Sequence, residues 1–269
     1  MTDTKLQDLL VDLVAETAVV DDLLLSLSDE EWELPTPAEG WAVRDQISHL
    51  AFFDEAAVTA ATEPERFRAE ADHLKALGPD FPDHVALRYR GMEVADLAAW
   101  FRTARSELIR VFASLDGSTR VPWFGPDMSI MSSATARLME TWAHGQDLFD
   151  TFEIECPGTD RLRHIAYLGV RTMAFSFALN ERGAPEAPVH VALEAPGGAT
   201  WEWGDPLAQN SVTGPALDFC LVVTQRRHLN DTGLVVRGPV ATAWMAIAQA
   251  FAGAPGPGRP PMTASRWIS

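Results

Sequence analysis

Positive charge is scarce in this chain. Only 21 Lys and Arg stand against 38 Asp and Glu, a net charge of -17 at pH 7. That balance argues against a nucleic-acid partner and against anionic membrane surfaces, both of which attract basic patches. Cysteine is scarcer still. Cys156 lies in the turn-like Glu155-Cys156-Pro157-Gly158 and Cys220 in an apolar helical run. Neither a disulfide framework nor a thiolate metal site is expected, so a reducing cytoplasm is the expected location. No apolar run is long enough to span a bilayer. The first residues, Met1 to Asp8, are mixed in charge and lead into an amphipathic pattern, which is not that of a signal peptide. What is present, 47% hydrophobic and 22% charged residues over 269 positions, is the balance of a soluble globular chain. It is enough for one large domain or two ordinary ones. Nine tryptophans are more than usual, most of them expected in packed core and some against a pocket.

The first periodic stretch covers 6–27. Leu6, Leu9, Leu10, Leu13, Val14, Val20, Leu23, Leu24 and Leu27 recur there at three and four, as on a helix with one core-facing side. Pro35, Pro37 and Gly40 then break the chain. A second helix is expected over 43–61, with Val43, Ile47, Leu50, Ala51, Ala57 and Val58 buried. His49 shares a neighbouring face with Gln46 and Phe53. Glu63-Pro64 opens a polar helix to about Leu77, followed by a loop with Gly78, Pro79 and Pro82. Another amphipathic helix is expected over 92–115, closed by Asp116-Gly117. The connector from Arg120 to Met128 is apolar and aromatic and leads into a helix over 129–152. Its Trp123 and Phe124 either wall a site or plug the end of the bundle. Four long helices with mostly short connections read as an antiparallel bundle.

Around Pro157-Gly158 the character changes. One helix is expected over 162–179, then strands at Val189 to Glu194, Thr200 to Trp203 and Leu234 to Arg237, each bounded by Gly and Pro. Residues 215–227 and 239–251 read as helices and 253–261 as loop. The expected class is therefore α+β, with a bundle domain over 1–155 and a smaller α/β domain over 156–269.

Chemistry concentrates on the last bundle helix. Glu140 and His144 lie one turn apart and Asp147 follows at the next, all on one face. A carboxylate and an imidazole so spaced, with Cβ atoms about 5–6 Å apart, can close on one cation. His49 on the second helix is the best third donor. Two His and one carboxylate give Zn²⁺ three ligands and an open fourth position, the pattern of catalytic sites. The plainer reading makes Glu140 and His144 a surface pair and His49 a satisfied core residue, and spacing alone leaves both standing. Asp147 would orient His144 from behind or bind the helix end to solvent.

Two segments carry a resemblance: Gly40-Trp41 with Val43-Arg44-Asp45 and His49-Leu50, and Glu140-Thr141-Trp142-Ala143-His144-Gly145-Gln146-Asp147. They resemble the DinB-like metal-binding bundle and, more narrowly, the actinobacterial mycothiol-dependent maleylpyruvate isomerases and their relatives. Farther on, residues 218–227 and 248–253 are similar to that family's sterol-carrier-like second domain. The resemblance implies a DinB-like four-helix bundle with a C-terminal sterol-carrier-like α/β domain. It also implies a zinc site on His49, Glu140 and His144, which another divalent metal could occupy, and mycothiol as the thiol. Ala42 departs from the pattern, where Ser or Thr would cap the helix, at a cost of about 1 kcal/mol.

A thiol at the open position would lose its proton at neutral pH. Neither cysteine lies in a ligand-bearing segment, so the thiol is expected from a small molecule. Its addition to a small electrophilic substrate would give isomerisation or thiol transfer. An anionic substrate needs a cation, for which Arg226 and Arg227 are the candidates, in a cleft expected between the domains, with Arg44 and Arg137 next. Arginines at a helix end are also favoured by the helix dipole. Two other functions fit the same residues: a metal-dependent hydrolase, lyase or cyclase of a biosynthetic pathway, and a non-catalytic, metal-stabilised binding protein for an apolar ligand.

Overall fold

The computed structural model describes residues 4–156 and 158–262, and the chain divides into two compact units, Met1–Cys156 and Pro157–Ser269. Pro157, where the sequence changes character, and residues 1–3 lie outside the described residues.

The described residues of the first unit form six α-helices, a short 3-10 turn at Glu31–Glu33 and a small hairpin. The helices and strands are α1 (Thr4–Leu24), α2 (Val43–Thr62), α3 (Pro64–Lys75), α4 (Phe81–Tyr89), α5 (Val94–Ala113), the strands β1 (Arg120–Val121) and β2 (Met128–Ser129), and α6 (Ile130–Thr151). The four long helices form the bundle. Helix α2 packs on α5 and α6, and α1 packs on α6 and α5, which sets α1 and α2 on one diagonal. Leu6, Leu9, Leu10, Leu13, Val20, Leu23 and Leu24 of α1 are buried as their spacing requires. Val14 is half exposed, because it stands one residue off the Leu13 stripe. Helix α2 is buried nearly all round in its first two turns, polar residues included. Its Ala42 cap has no side-chain acceptor. Instead the Asp45 carboxylate turns back to accept from the Ala42 amide at 2.8 Å, and Arg90 clamps Asp45 from both of its oxygens.

Two local readings need correction. The loop expected around Pro82 contains α4, since a proline in the first turn opens a helix instead of ending one. The connector from Arg120 to Met128 is pinched by the antiparallel β1–β2 pair, and Ser129 caps α6 by accepting from the Ser132 amide at 3.1 Å. Inside α6, Gly145 lets α1 come close: a Cβ there would sit 2.9 Å from Val20.

The second unit is a four-stranded sheet with helices. It comprises α7 (Leu162–Arg171), α8 (Met173–Leu179), β3 (Val189–Glu194), β4 (Thr200–Trp203), β5 (Asn210–Pro215), α9 (Ala216–Val223), β6 (Val235–Arg237) and α10 (Pro239–Met245). Strand order is β4-β3-β5-β6, with β3 and β5 parallel and the outer pairs antiparallel. Val189, Val191 and Leu193 alternate inward from β3. Helix α7 packs on α9, where Gly169 faces Val223 so closely that a Cβ would lie 2.8 Å from it.

The helix expected over 162–179 is two helices, broken at Thr172, whose hydroxyl donates to the Gly169 carbonyl at 3.1 Å. Strand β5 was not expected, because Gly214 and Pro215 punctuate a segment with only one strongly apolar residue, Val212. It is held from both sides by β3 and β6. Helix α9 ends at Val223, and Gln225 takes a left-handed conformation with φ 60°. Arg226 and Arg227 therefore follow the helix instead of completing its last turn, and both their amides donate to the Leu221 carbonyl. The helix expected over 239–251 stops at Met245. Beyond it the Gln249 amide donates to the Ser176 hydroxyl and the Ala250 amide to the Val223 carbonyl, bonds a continued helix would not permit.

Candidate metal centre

Two helices of the first unit supply the site. A repeat of 3.6 residues places Gln46, His49 and Phe53 of α2 along one stripe, and Arg137, Glu140 and His144 of α6 along another. Where the stripes meet, one donor atom each from His49, Glu140 and His144 lie within 4.8 Å of one another. Glu140 Oε2 stands 3.2 Å from His144 Nε2 and 3.7 Å from His49 Nε2. Donors about 2.0–2.2 Å from a tetrahedral zinc stand about 3.3–3.6 Å apart, so the residues fit such an ion without rearranging the backbone. All three side chains keep slight exposure, 9% for His144, 12% for His49 and 17% for Glu140, so the donors remain reachable.

Protonation suits the same task. Burial, reinforced by the neighbouring His144, lowers the His49 pKa to about 4, which leaves a neutral ring with a free lone pair at pH 7. For Glu140 burial acts upward, but hydrogen bonds with His144 and His49 and the charge of Arg137 outweigh it. Its carboxyl stays well below the usual carboxylate range.

Gln46 orients His144. Its Oε1 contacts His144 Nδ1, its Nε2 donates to the Thr36 hydroxyl at 2.8 Å, and that hydroxyl donates to the Trp41 carbonyl at 2.9 Å. Both nitrogens of His144 are thus occupied, by Gln46 and Glu140. Gln46 holds Nδ1 of His144, and Asp147 is buried farther along the same helix, 1% exposed. The useful signal was the three-residue offset between Gln46 and His49 on α2.

Aromatic rings bound the centre. Trp41 stacks on His144 at 5.9 Å between ring centroids and 14° between planes, and its indole donates to Asp83 of α4 at 2.7 Å. On the other side Phe53 lies 4.5 Å from the His49 ring. Phe53 joins a cluster with Phe67, Phe81, Trp123 and Phe124. The two expectations for Trp123 and Phe124 meet here: they close the end of the bundle and stand one ring away from the donors.

Beneath them is a buried ionic group. Asp54 accepts from Arg105 Nε at 2.7 Å, and Arg105 also reaches Thr141 at 2.9 Å and Thr17. The Arg137 guanidinium lies 5.8 Å from the centroids of both Phe53 and Trp123. Burial pulls its pKa down from the ordinary arginine value while Glu140 and Asp54 hold it up. Arg44 is engaged by Glu33 and the Met92 carbonyl.

Arg226 and Arg227 belong to the second unit. Arg226 Nη1 donates to the Thr224 carbonyl and Arg227 Nη1 to the Arg226 carbonyl, each at 2.8 Å. A cavity of about 160 Å³ there is lined by Arg227, His228, Asn230 and Arg259, among others. Both cysteines are buried, and burial pushes the Cys220 thiol far up.

Comparison with known proteins places these features. The pattern of the family described as the mycothiol maleylpyruvate isomerase N-terminal domain matches residues 13–149, a span that contains all three donors. Two Mycobacterium tuberculosis proteins from different strains, both named only as uncharacterized, are 44% identical over 249 residues, 92% of this chain and 96% of theirs. The crystal structure of a mycothiol-dependent maleylpyruvate isomerase shares the fold with a TM-score of 0.57 at 14% identity, over 86% of this chain and 92% of that one. A histidine-to-alanine mutant of such an isomerase gives 0.58. Among the described residues no helix is long and apolar enough to cross a membrane.

Proposed function

The chain belongs to the mycothiol maleylpyruvate isomerase N-terminal domain family. From that premise we propose that it is a zinc-dependent enzyme acting with a low-molecular-weight thiol, mycothiol, on a small electrophilic substrate, by isomerisation or thiol transfer. The observation that carries the reading is the convergence of His49, Glu140 and His144, a two-His, one-carboxylate set that leaves a four-coordinate ion one open position. Zinc there would supply the positive charge that keeps a thiol ionised at neutral pH.

The chain's own residues do the rest. His49 presents a neutral nitrogen, Glu140 a carboxylate, and Gln46 holds His144 with Nε2 facing inward. Trp41 and Phe53 bound the donors with apolar rings, limiting water beside the reacting sulfur. In isomerisation the sulfur bonds one alkene carbon and the π pair moves to its neighbour, towards a conjugated carbonyl. The new single bond rotates, the C–S bond breaks, and the pair re-forms the alkene. Held thiol and substrate gain mainly from placement. Arg226 and Arg227 are assigned to anionic groups of the substrate.

Metal analysis of parent and His49→Ala protein, paired with turnover of maleylpyruvate with and without mycothiol, tests this. One equivalent of zinc in the parent, loss of it in the variant, and thiol-dependent turnover are expected. Parent protein prepared without chelator and lacking stoichiometric metal would end the proposal, and turnover without thiol would move it to the hydrolase, lyase or cyclase class.

A further inference from the structure

Arg137 is the charged side chain of the first unit for which the proposed chemistry leaves work to be found. It is 4% exposed and its Nη1 is buried with no hydrogen-bond partner. Its nearest carboxylate is Asp54, whose Oδ2 is held by Arg105 at 2.7 Å and whose Oδ1, itself without a hydrogen-bond partner, stands 3.9 Å from Arg137 Nη1, beyond hydrogen-bond reach. The planar guanidinium is instead placed by two rings, Phe53 and Trp123, each 5.8 Å away. Phe53 is the ring that touches His49, and Arg137 precedes Glu140 by three residues on the same face of α6. A buried cation with an unused donor, one aromatic ring from the donor set, is the form that recognition of a carboxylate takes.

We propose that Arg137 is a further substrate-binding residue, which takes a carboxylate group of the substrate beside the metal centre, within the first unit. This rests on the thiol-enzyme reading and deepens it. Asp54 keeps Arg105 as its hydrogen-bonded partner and shares its charge with Arg137, Glu140 remains a metal donor, and the substrate anion supplies the hydrogen-bond acceptor that Arg137 Nη1 lacks. The rings of Phe53 and Trp123 flank the guanidinium, each 5.8 Å from it, and limit where it can move.

The test measures maleate binding by calorimetry, without thiol, in zinc-loaded and in chelator-stripped full-length protein, with uncharged maleamide as control. Parent protein is expected to bind maleate and not maleamide in both forms. Arg137→Gln is expected to weaken maleate at least about tenfold at unchanged zinc content. Arg137→Lys, which keeps a charge beside Asp54 and loses the fork, serves if the Gln variant does not fold, and is expected to weaken binding about threefold or more. Maleate affinity that follows the metal and ignores Arg137 overturns the proposal, as does a parent that binds no maleate. The guanidinium is then a counter-charge to Asp54 alone. If the parent holds no metal but stripped protein still binds maleate through Arg137, the zinc reading falls and this one stands.

Discussion

Replacing Gln46 with leucine separates orientation of the metal centre from the donors themselves. Gln46 is fully buried and joins His144 Nδ1 to the Thr36 hydroxyl. Leucine fills nearly the same volume, so Gln46→Leu opens little cavity and leaves His49, Glu140 and His144 in place. It does strip the acceptor from the His144 N–H and a donor from Thr36. Loss of a partner behind a metal-bound His costs about 10–100-fold in metal affinity, or about 1.4–2.7 kcal/mol. The buried His144 N–H left without an acceptor costs a further 1–3 kcal/mol or so in the stability of the metal-free protein, while the partly buried Thr36 hydroxyl keeps its bond to Trp41. Zinc competition against a chromophoric chelator gives the first quantity and urea unfolding of stripped protein gives the second. Asp147→Asn, measured alongside, is expected to change zinc affinity by less than about threefold, since Gln46 and Glu140 already take the two nitrogens of His144. Parent-like zinc affinity in Gln46→Leu, or a larger loss in Asp147→Asn, would refute the assignment of the orienting role.

Three further outcomes are expected. The His49 pKa falls from 6.5 to about 4 on folding, so its contribution to stability is complete above pH 6.5 and disappears as pH drops through 4; metal-free parent should lose roughly 3 kcal/mol over that window, and urea midpoints of a His49→Gln variant should lack that slope. A methyl group added by Gly145→Ala would sit 2.9 Å from Val20, and this overpacking of α1 on α6 should lower stability by about 1–3 kcal/mol, seen as a reduced melting temperature; an unchanged melt would show that the helices separate at no cost. The double variant Arg226→Ala, Arg227→Ala should raise KM for an anionic substrate by about tenfold or more with zinc content unchanged, and parent-like kinetics would remove both arginines from the site.

The α+β class and the four long helices were legible because the apolar positions of α1, α2, α5 and α6 repeat at three and four over many turns, and burial against a core enforces that period. The strands Val189–Glu194 and Thr200–Trp203 were legible for the matching reason, inward alternation between turn residues. Helix α4 and strand β5 were not. Pro82 can end a helix or begin one, and Asn210–Pro215 has little strand character until β3 and β6 supply its hydrogen bonds. Arg226 and Arg227 shifted out of the helix because the left-handed turn at Gln225 is settled by capping bonds to Leu221, which no periodicity records.

Local spacing alone put Glu140 and His144 on one face of a helix and marked His49 as a third donor, since a helical repeat fixes which side chains are neighbours along one element. That His49 stands 3.7 Å from Glu140 depends on α2 packing against α6, a contact between residues about ninety positions apart. The same packing brought Gln46 to His144, and set Arg137 between Phe53 and Trp123 with a donor unused. Periodicity describes one element at a time. Which polar group meets which across two elements is decided only when buried apolar surface locks their register.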